Sequence, residues 1–404
     1  MKKLGTYLAK VPDTQRACCL PLNPFIMKIV HVAEAFAGGI VMFVKSLVEN
    51  MPNDEHIIVH GERAHVTRFT DIRKLFARTN ARFVRWHSAQ RSIKISKDFA
   101  AFLQLYRILK RLKKQHQIDA VHLHSSKSGF IGRIVCKLLG INNVIYTPNG
   151  APFLVGTSKV SNYIYRVLER LGSGFGGQVV CCSPSEQAEY EKAGISAITI
   201  NNGITFDRRS HGSYDASPAN KKFCIVTSGR IINQKNPALF NSIARYFEEF
   251  QQFEFIWIGD GPERDLLTAS NITITGWLPG EEVARLISSA NVYVSTANFE
   301  GLPYAVLEAL ALRKPVLLTD SVGNRDLVKS CLNGDLFKNH SEAIVKLLQY
   351  FNNSSMLNIM GEFSALHGKE SFNVNHTFTK YRHLYAGNHI AMDNYLKPAL
   401  VNAN

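Results

Sequence analysis

Residues 300–311 read Glu300-Gly301-Leu302-Pro303-Tyr304-Ala305-Val306-Leu307-Glu308-Ala309-Leu310-Ala311. Two carboxylates are separated by seven residues, a Gly-Leu-Pro turn follows the first, and a small, apolar helical run follows that turn. Pro303 fits the first turn of a helix, where its missing N–H removes no hydrogen bond. A helix start points free backbone N–H groups and partial positive charge at whatever lies above it, which suits a diphosphate. Glu308 then lies about 8 Å along the helix from Pro303, and Glu300 lies in the loop before it. One carboxylate can accept hydrogen bonds from sugar hydroxyls and the other from a ribose, with a diphosphate between them. The plain alternative is a helix preceded by an exposed acidic loop.

Other strand-end turns carry matching chemistry. Ser228-Gly229-Arg230-Ile231-Ile232-Asn233-Gln234-Lys235-Asn236-Pro237 follows an apolar strand. Gly229 allows close backbone approach there, and Arg230 and Lys235 can both reach one diphosphate. Gly259-Asp260-Gly261-Pro262 ends a second strand. Gly38-Gly39 stand between strand 27–33 and helix 40–50, where a glycine pair admits phosphate or sugar close to backbone N–H groups. His122 and His124 share one face of strand 119–124. His124 is nearer the mouth and opens His124-Ser125-Ser126-Lys127-Ser128-Gly129, whose Ser126 and Lys127 are candidates for an anionic acceptor. Thr147-Pro148-Asn149-Gly150 and Asn201-Asn202-Gly203-Ile204 also serve simply as turns.

Taken together, these segments resemble the family 4 retaining glycosyltransferases of the GT-B fold, and in the run from His124 to Arg133 their polysaccharide-assembly members. The E-x7-E signature corresponds to Glu300–Glu308, with donor contacts expected at Gly301, Leu302, Pro303 and Glu308. The G-R-x4-K-N segment corresponds to Gly229, Arg230, Lys235 and Asn236, and G-D-G-P to Gly259, Asp260 and Gly261. The resemblance implies that Arg230 and Lys235 neutralise the leaving nucleoside diphosphate. It implies that Glu300 and His124 act near the reacting carbon, and that the Gly38-Gly39 loop meets donor phosphate or acceptor. Asn149 stands where a histidine is usual, so it is an acceptor-side hydrogen-bonding candidate with no acid–base role. Arg313 replaces a usual glycine outside the proposed chemistry. The resemblance covers roughly residues 27–385 and is more specific in the second half.

Length and pattern agree with this architecture. A chain of 404 residues exceeds one ordinary core. Short apolar runs alternate with amphipathic helical patterns, which predicts βαβ units and parallel sheets. Strands are expected at 27–33, 55–60, 119–124, 143–147, 178–182 and 197–200. A second set is expected at 222–228, 253–258, 272–275, 291–295 and 315–319. The polar, turn-rich stretch 207–218 reads as a linker. The expected domains are 27–207, binding acceptor, and 208–375, binding nucleotide sugar. Residues 376–404 are expected to form a late helix crossing back to the first domain, then a tail. Residues 1–26 are an extension of uncertain status, with Met27 an alternative start.

The seven cysteines include no C-x-x-C spacing, which argues for a reducing cytosol rather than disulfides or zinc. Net charge is +15, and residues 1–205 hold all of the excess, with 28 Lys and Arg against 13 Asp and Glu. That asymmetry suggests an anionic partner. The expected partners are an anionic membrane surface at the inner face of the cytoplasmic membrane and a lipid-linked saccharide. Segment 72–97, with Leu75, Phe76, Phe83, Trp86 and Ile93 among basic residues, is the expected membrane contact. There is no nucleic-acid recognition module. There is also no D-x-D motif or carboxylate cluster, so no cofactor and no metal are expected. The expected reaction moves a sugar, with retention, from a nucleotide sugar, taken to be a UDP-sugar. The alternatives are a nucleotide-sugar epimerase of the same fold and a basic nucleic-acid-binding protein.

Overall fold

The computed structural model describes residues 26–62, 68–90, 94–155, 158–206 and 222–387. The linker expected at 207–218, the boundary near 207, the extension through residue 25 and the tail from 388 lie outside the described residues.

The first half contributes strands β1 (Lys28–Ala33), β2 (Glu55–His60), β3 (Arg82–Arg85), β4 (Ala120–His124), β5 (Val144–Thr147), β6 (Gln178–Cys181) and β7 (Ala197–Thr199). Its helices are α1 (Gly39–Asn50), α2 (Phe69–Leu75), α3 (Ile95–Gln115), α4 (Ser126–Leu138), α5 (Lys159–Ser173) and α6 (Pro184–Lys192). The second half contributes β8 (Phe223–Ser228), β9 (Phe253–Ile258), β10 (Ile272–Ile274), β11 (Val292–Ser295), β12 (Val316–Thr319) and β13 (Gly334–Phe337). Helices α7 (Pro237–Tyr246), α8 (Gly280–Ser289), α9 (Tyr304–Ala311), α10 (His340–Asn352), α11 (Ser354–Ser371) and α12 (Val374–Tyr385) complete the chain.

Every strand pairing is parallel. The sheet orders are β3-β2-β1-β4-β5-β6-β7 and β10-β9-β8-β11-β12-β13. These are two doubly wound, Rossmann-like α/β sheets, as expected. Helices cover both faces, so the central strands are mostly apolar; β4, β5, β8, β11 and β12 are without Asp, Glu, Lys or Arg and are buried at every position. Each sheet reverses its winding once, between β1 and β4 and between β8 and β11. Such switch points open a crevice at the strand carboxyl ends, where ligands of these folds bind. Gly38-Gly39 and His124-Ser125 follow the two strands flanking the first switch. Gly229-Arg230 and the Glu300 loop follow the two flanking the second.

Sequence pattern missed two strands. β3, Arg-Phe-Val-Arg, is a short edge strand with a charged residue at each end, and β13 begins with glycine and aspartate. Pro303 takes the position just before α9 rather than inside its first turn. Segment 72–97 offers less apolar surface than expected, although Leu75 is 44% exposed. Ile72, Phe76 and Trp86 are core residues, and the Trp86 indole N–H donates to the Ala101 carbonyl. Its largest apolar side chains are thus spent on packing; Ile93 lies outside the described residues.

Helix α12 packs on the first sheet, burying Phe378, Tyr381, Leu384 and Tyr385 among residues of β1, β2 and α1. Asn143 donates to the carbonyls of Leu384 and Tyr385, and Arg382 lies 3.6 Å from the Asp54 carboxylate.

Candidate active site

The two strand-end crevices face each other. A Cβ on Gly301 would lie 2.9 Å from the Gly150 nitrogen and 3.1 Å from the Asn149 carbonyl carbon, so the two turns touch backbone to backbone. The Asn202 amide donates to the Leu302 carbonyl at 2.9 Å, and the Ser185 hydroxyl accepts from the Gly323 N–H at 2.8 Å. Leu154 and Val155 from one domain and Asn233, Asn298, Phe299 and Val322 from the other line one cavity there.

On the second-domain side, Lys235 Nζ stands 2.6 Å from Glu300 Oε1. Gln234 donates to the other oxygen at 3.2 Å. Burial works against the Lys235 charge, but the Glu300 carboxylate and the Tyr293 phenol outweigh it and hold the ammonium above the ordinary lysine range. Arg230 is close enough for its charge to act on Lys235. Tyr293 lies beneath, sharing hydrogen bonds with the Ser228 N–H and hydroxyl at 3.1 and 3.0 Å. Glu308, one helical turn into α9, is pushed up to about 7 by burial. No side chain caps α9, so its first N–H groups stay available to an anion.

The predicted donor glycines divide into two kinds. A Cβ on Gly259 would strike the Gly229 carbonyl at 2.2 Å, and one on Gly261 would strike the Ile231 carbonyl at 2.3 Å. These residues hold the two second-domain loops together. A Cβ on Gly38 or Gly39 would meet nothing within 4 Å, so the start of α1 faces open space. Gly38 also has φ 58°, which favours glycine. Asn236 caps α7 by accepting from the Leu239 N–H, and Asp260 accepts from the Gly261 N–H. Both side chains therefore do structural work. On the first-domain side, Lys127 pairs with Asp98 at 2.6 Å, turning its charge toward α3. Ser126 opens α4, and Asn149 holds φ 57° while donating to the Thr147 carbonyl.

His124 ends a buried chain of imidazoles that sequence reasoning did not foresee. The Met51 carbonyl, an acceptor only, lies 3.2 Å from His56 Nε2, so that nitrogen carries the proton. His56 Nδ1 is then bare and accepts from His31 Nε2 at 3.1 Å. His31 Nδ1 in turn accepts from His124 Nε2 at 3.2 Å. Burial keeps His31, His56 and His124 neutral, the last pushed down to about 3. His124 Nδ1 is left as a bare lone pair with no donor among the described residues; the adjacent Ser125 hydroxyl also lacks a partner there. His122 bonds the Tyr385 and Thr147 hydroxyls, tying α12 to β4. Nitrogens of His31, His122 and His124 lie within 4.8 Å of one another, a possible metal-holding group. It contains no carboxylate, so a divalent ion there would be buried without compensating charge.

Glu186 was also not foreseen. It accepts from the N–H groups of Gly150 and Cys182 at 2.8 and 2.7 Å, and burial pushes it up to about 7. It fixes the turn that Gly301 touches. A helical glutamate carries no sequence signal for such a role.

Two family models match the chain. The model described as Glycosyltransferase Family 4 covers residues 37–208, and that described as Glycosyl transferases group 1 covers 214–364. The chain therefore carries a Glycosyltransferase Family 4 domain followed by a Glycosyl transferases group 1 domain. This glycosyltransferase is 25% identical over 388 residues to the Escherichia coli UDP-Gal:alpha-D-GlcNAc-diphosphoundecaprenol alpha-1,3-galactosyltransferase, spanning 89% of this chain and 96% of that protein. It is 23% identical to an uncharacterized 41.2 kDa protein in the cps region of Klebsiella pneumoniae, over 77% of this chain and 86% of that one. Anabaena HepE, solved with UDP and glucose, superposes with a TM-score of 0.71 at 14% identity, covering 89% of this chain and all of that one. The lipopolysaccharide outer core galactosyltransferase WaaB superposes at 0.64 with 18% identity, covering 89% and 99%. These likenesses agree with the GT-B arrangement of two facing Rossmann-like domains.

Proposed function

We propose that this glycosyltransferase moves a sugar, with retention of anomeric configuration, from a nucleoside diphosphate sugar to a lipid-linked saccharide in bacterial surface polysaccharide assembly. The observation that carries this reading is the Lys235–Glu300 pair beside the uncapped start of α9, at the point where the two switch-point crevices meet. Arg230, Lys235 and the helix start stabilise the departing diphosphate. Glu308 accepts from the ribose and Glu300 from the donor sugar. His124 Nδ1, a bare lone pair buried in this structure, accepts from a hydroxyl near the reacting carbon once the adjoining Ser125 turn opens to the donor. The cations stand where other transferases use a metal, so the reaction needs none. The leaving phosphate takes the acceptor proton on the same face, which calls for no protein nucleophile. A UDP-sugar donor and an undecaprenol-diphosphate saccharide acceptor are supported by the printed activity of the E. coli relative. The enzyme works peripherally at the cytoplasmic face of the membrane; among the described residues no helix is long and apolar enough to cross it.

The test is nucleoside diphosphate release from UDP-, GDP- and ADP-sugars, with and without membrane lipid extract and with EDTA. Acceptor-stimulated release from one donor, insensitive to EDTA and lost in Arg230→Ala, is expected. A product whose linkage is inverted relative to the donor would overturn retention.

A further inference from the structure

Exposed apolar side chains of the first domain concentrate on α5. Val160, Tyr163, Ile164, Val167 and Leu171 are 69, 67, 50, 38 and 59% exposed. At about 100° per residue they fall within an arc of about 100°, forming one stripe along the helix. Lys159, Arg166 and Arg170 are also exposed and lie along one edge of that stripe. None of the three forms an ion pair among the described residues, and the helix has no exposed carboxylate. Its one acid, Glu169, is buried on the opposite side, where it meets Arg133 at 3.2 Å and the Tyr146 hydroxyl at 2.8 Å. Gly172 packs there too, since a Cβ on it would strike the Arg133 guanidinium at 2.5 Å. Buried anchors thus set the rotation of α5 and hold the stripe outward.

The helix is also well placed. It begins just beyond Leu154 and Val155, which line the interdomain cavity. At its far end Lys137 reaches the Gly174 carbonyl at 3.5 Å, bringing the end of α4, with Leu138 62% exposed, beside it.

We propose that the outer face of α5 is the surface by which this enzyme lies on an anionic bilayer, setting the cleft mouth at the headgroup level. The inference rests on the lipid-linked acceptor proposed above and locates its membrane contact on a helix other than segment 72–97. Apolar side chains enter the acyl boundary while the basic edge meets anionic headgroups. A second copy of the chain fits less well, because three cations without a carboxylate partner among the described residues, Arg166 among them over the Phe153 ring, would meet a face with no acid to receive them.

The test is co-sedimentation of the full chain with vesicles of phosphatidylglycerol and phosphatidylcholine, or of phosphatidylcholine alone. Binding to the anionic vesicles that weakens with salt is expected. Ile164→Glu and Leu171→Glu should each weaken it by about tenfold, and the triple change Lys159→Ser, Arg166→Ser, Arg170→Ser should remove its salt dependence. Donor binding by calorimetry should stay as in the wild type for all these variants. Unchanged vesicle binding in Ile164→Glu/Leu171→Glu overturns the proposal. So does a shift from dimer to monomer in that variant with vesicle binding intact, which would assign the face to a second copy. Wild-type vesicle binding without donor binding would instead overturn the proposed function and leave this surface standing.

Discussion

Lys235 Nζ and Glu300 Oε1 lie 2.6 Å apart although sixty-four residues separate them in the chain. One follows β8 and the other β11, the strands that flank the second switch point. The pair keeps a charged lysine at a partly buried place, where the proposed function puts the departing diphosphate. Lys235→Met should lower kcat by about 10²–10³-fold. Glu300→Gln should lower activity similarly and also destabilise, since Lys235 loses its counter-charge. The double variant should recover stability relative to the singles but not activity. Steady-state kinetics beside urea unfolding separates the two effects; activity regained in the double variant would make the pair purely structural.

Glu308 provides a pH dependence. Its carboxyl is pushed up to about 7 by burial, from an ordinary 4.5. It is ionised, and best able to accept two ribose hydroxyls, only above about 7. Donor KM should therefore rise as pH falls through 7, and Glu308→Gln should bind donor more weakly with a flat profile. Between 4.5 and 7 the native state binds more protons than the unfolded chain, so this group's stability contribution is full below 4.5 and is lost as pH rises through 7. A wild-type KM that does not change between pH 6 and 8 would show that ionisation of Glu308 is not used.

Two glycines make a contrasting pair. Gly301→Ala forces a methyl against the Gly150 backbone at 2.9 Å, so the domains must part at the cleft. Donor affinity should drop by about tenfold or more while both domains still fold by circular dichroism. Gly39→Ala places its methyl in open space and should leave the melting temperature unchanged. If ligand fills that space, KM rises; unaltered kinetics would remove Gly39 from the site.

The imidazole chain predicts one tautomer. With ¹⁵N-histidine labelling, His124 should show a protonated Nε2 and a bare Nδ1. His56→Phe removes the acceptor of His31, which frees the chain to reverse, and His124 should then show mixed tautomers. The kcat should fall by about tenfold with donor KM little changed. A wild-type proton on His124 Nδ1 would contradict the assignment.

Much of the fold was legible because buried parallel strands need unbroken apolar runs, and eleven of them stood out, from β1 through β12 with β3 excepted. β3 and β13 escaped because their charge and glycine, tolerated at sheet edges, break the apolar run, whereas the edge strands β7 and β10 keep one. Lys235, Glu300 and Glu308 were legible because helix starts and strand-end turns demand particular residues at fixed spacing. Asn236, Asp260 and Lys127 looked alike on that basis, yet their side chains are engaged in a cap, a turn and an ion pair.

By itself the sequence determined what short-range physics controls: alternating strands and helices, two doubly wound halves, and strand-end turns rich in glycine and charge. Only the tertiary structure decided which distant groups share a site. Hydrogen bonds and charge act over a few ångströms, and chain separation does not predict that distance. So the Lys235–Glu300 contact, the His56–His31–His124 chain, Glu186 beneath Gly150 and the outward stripe of α5 all depend on how finished elements pack.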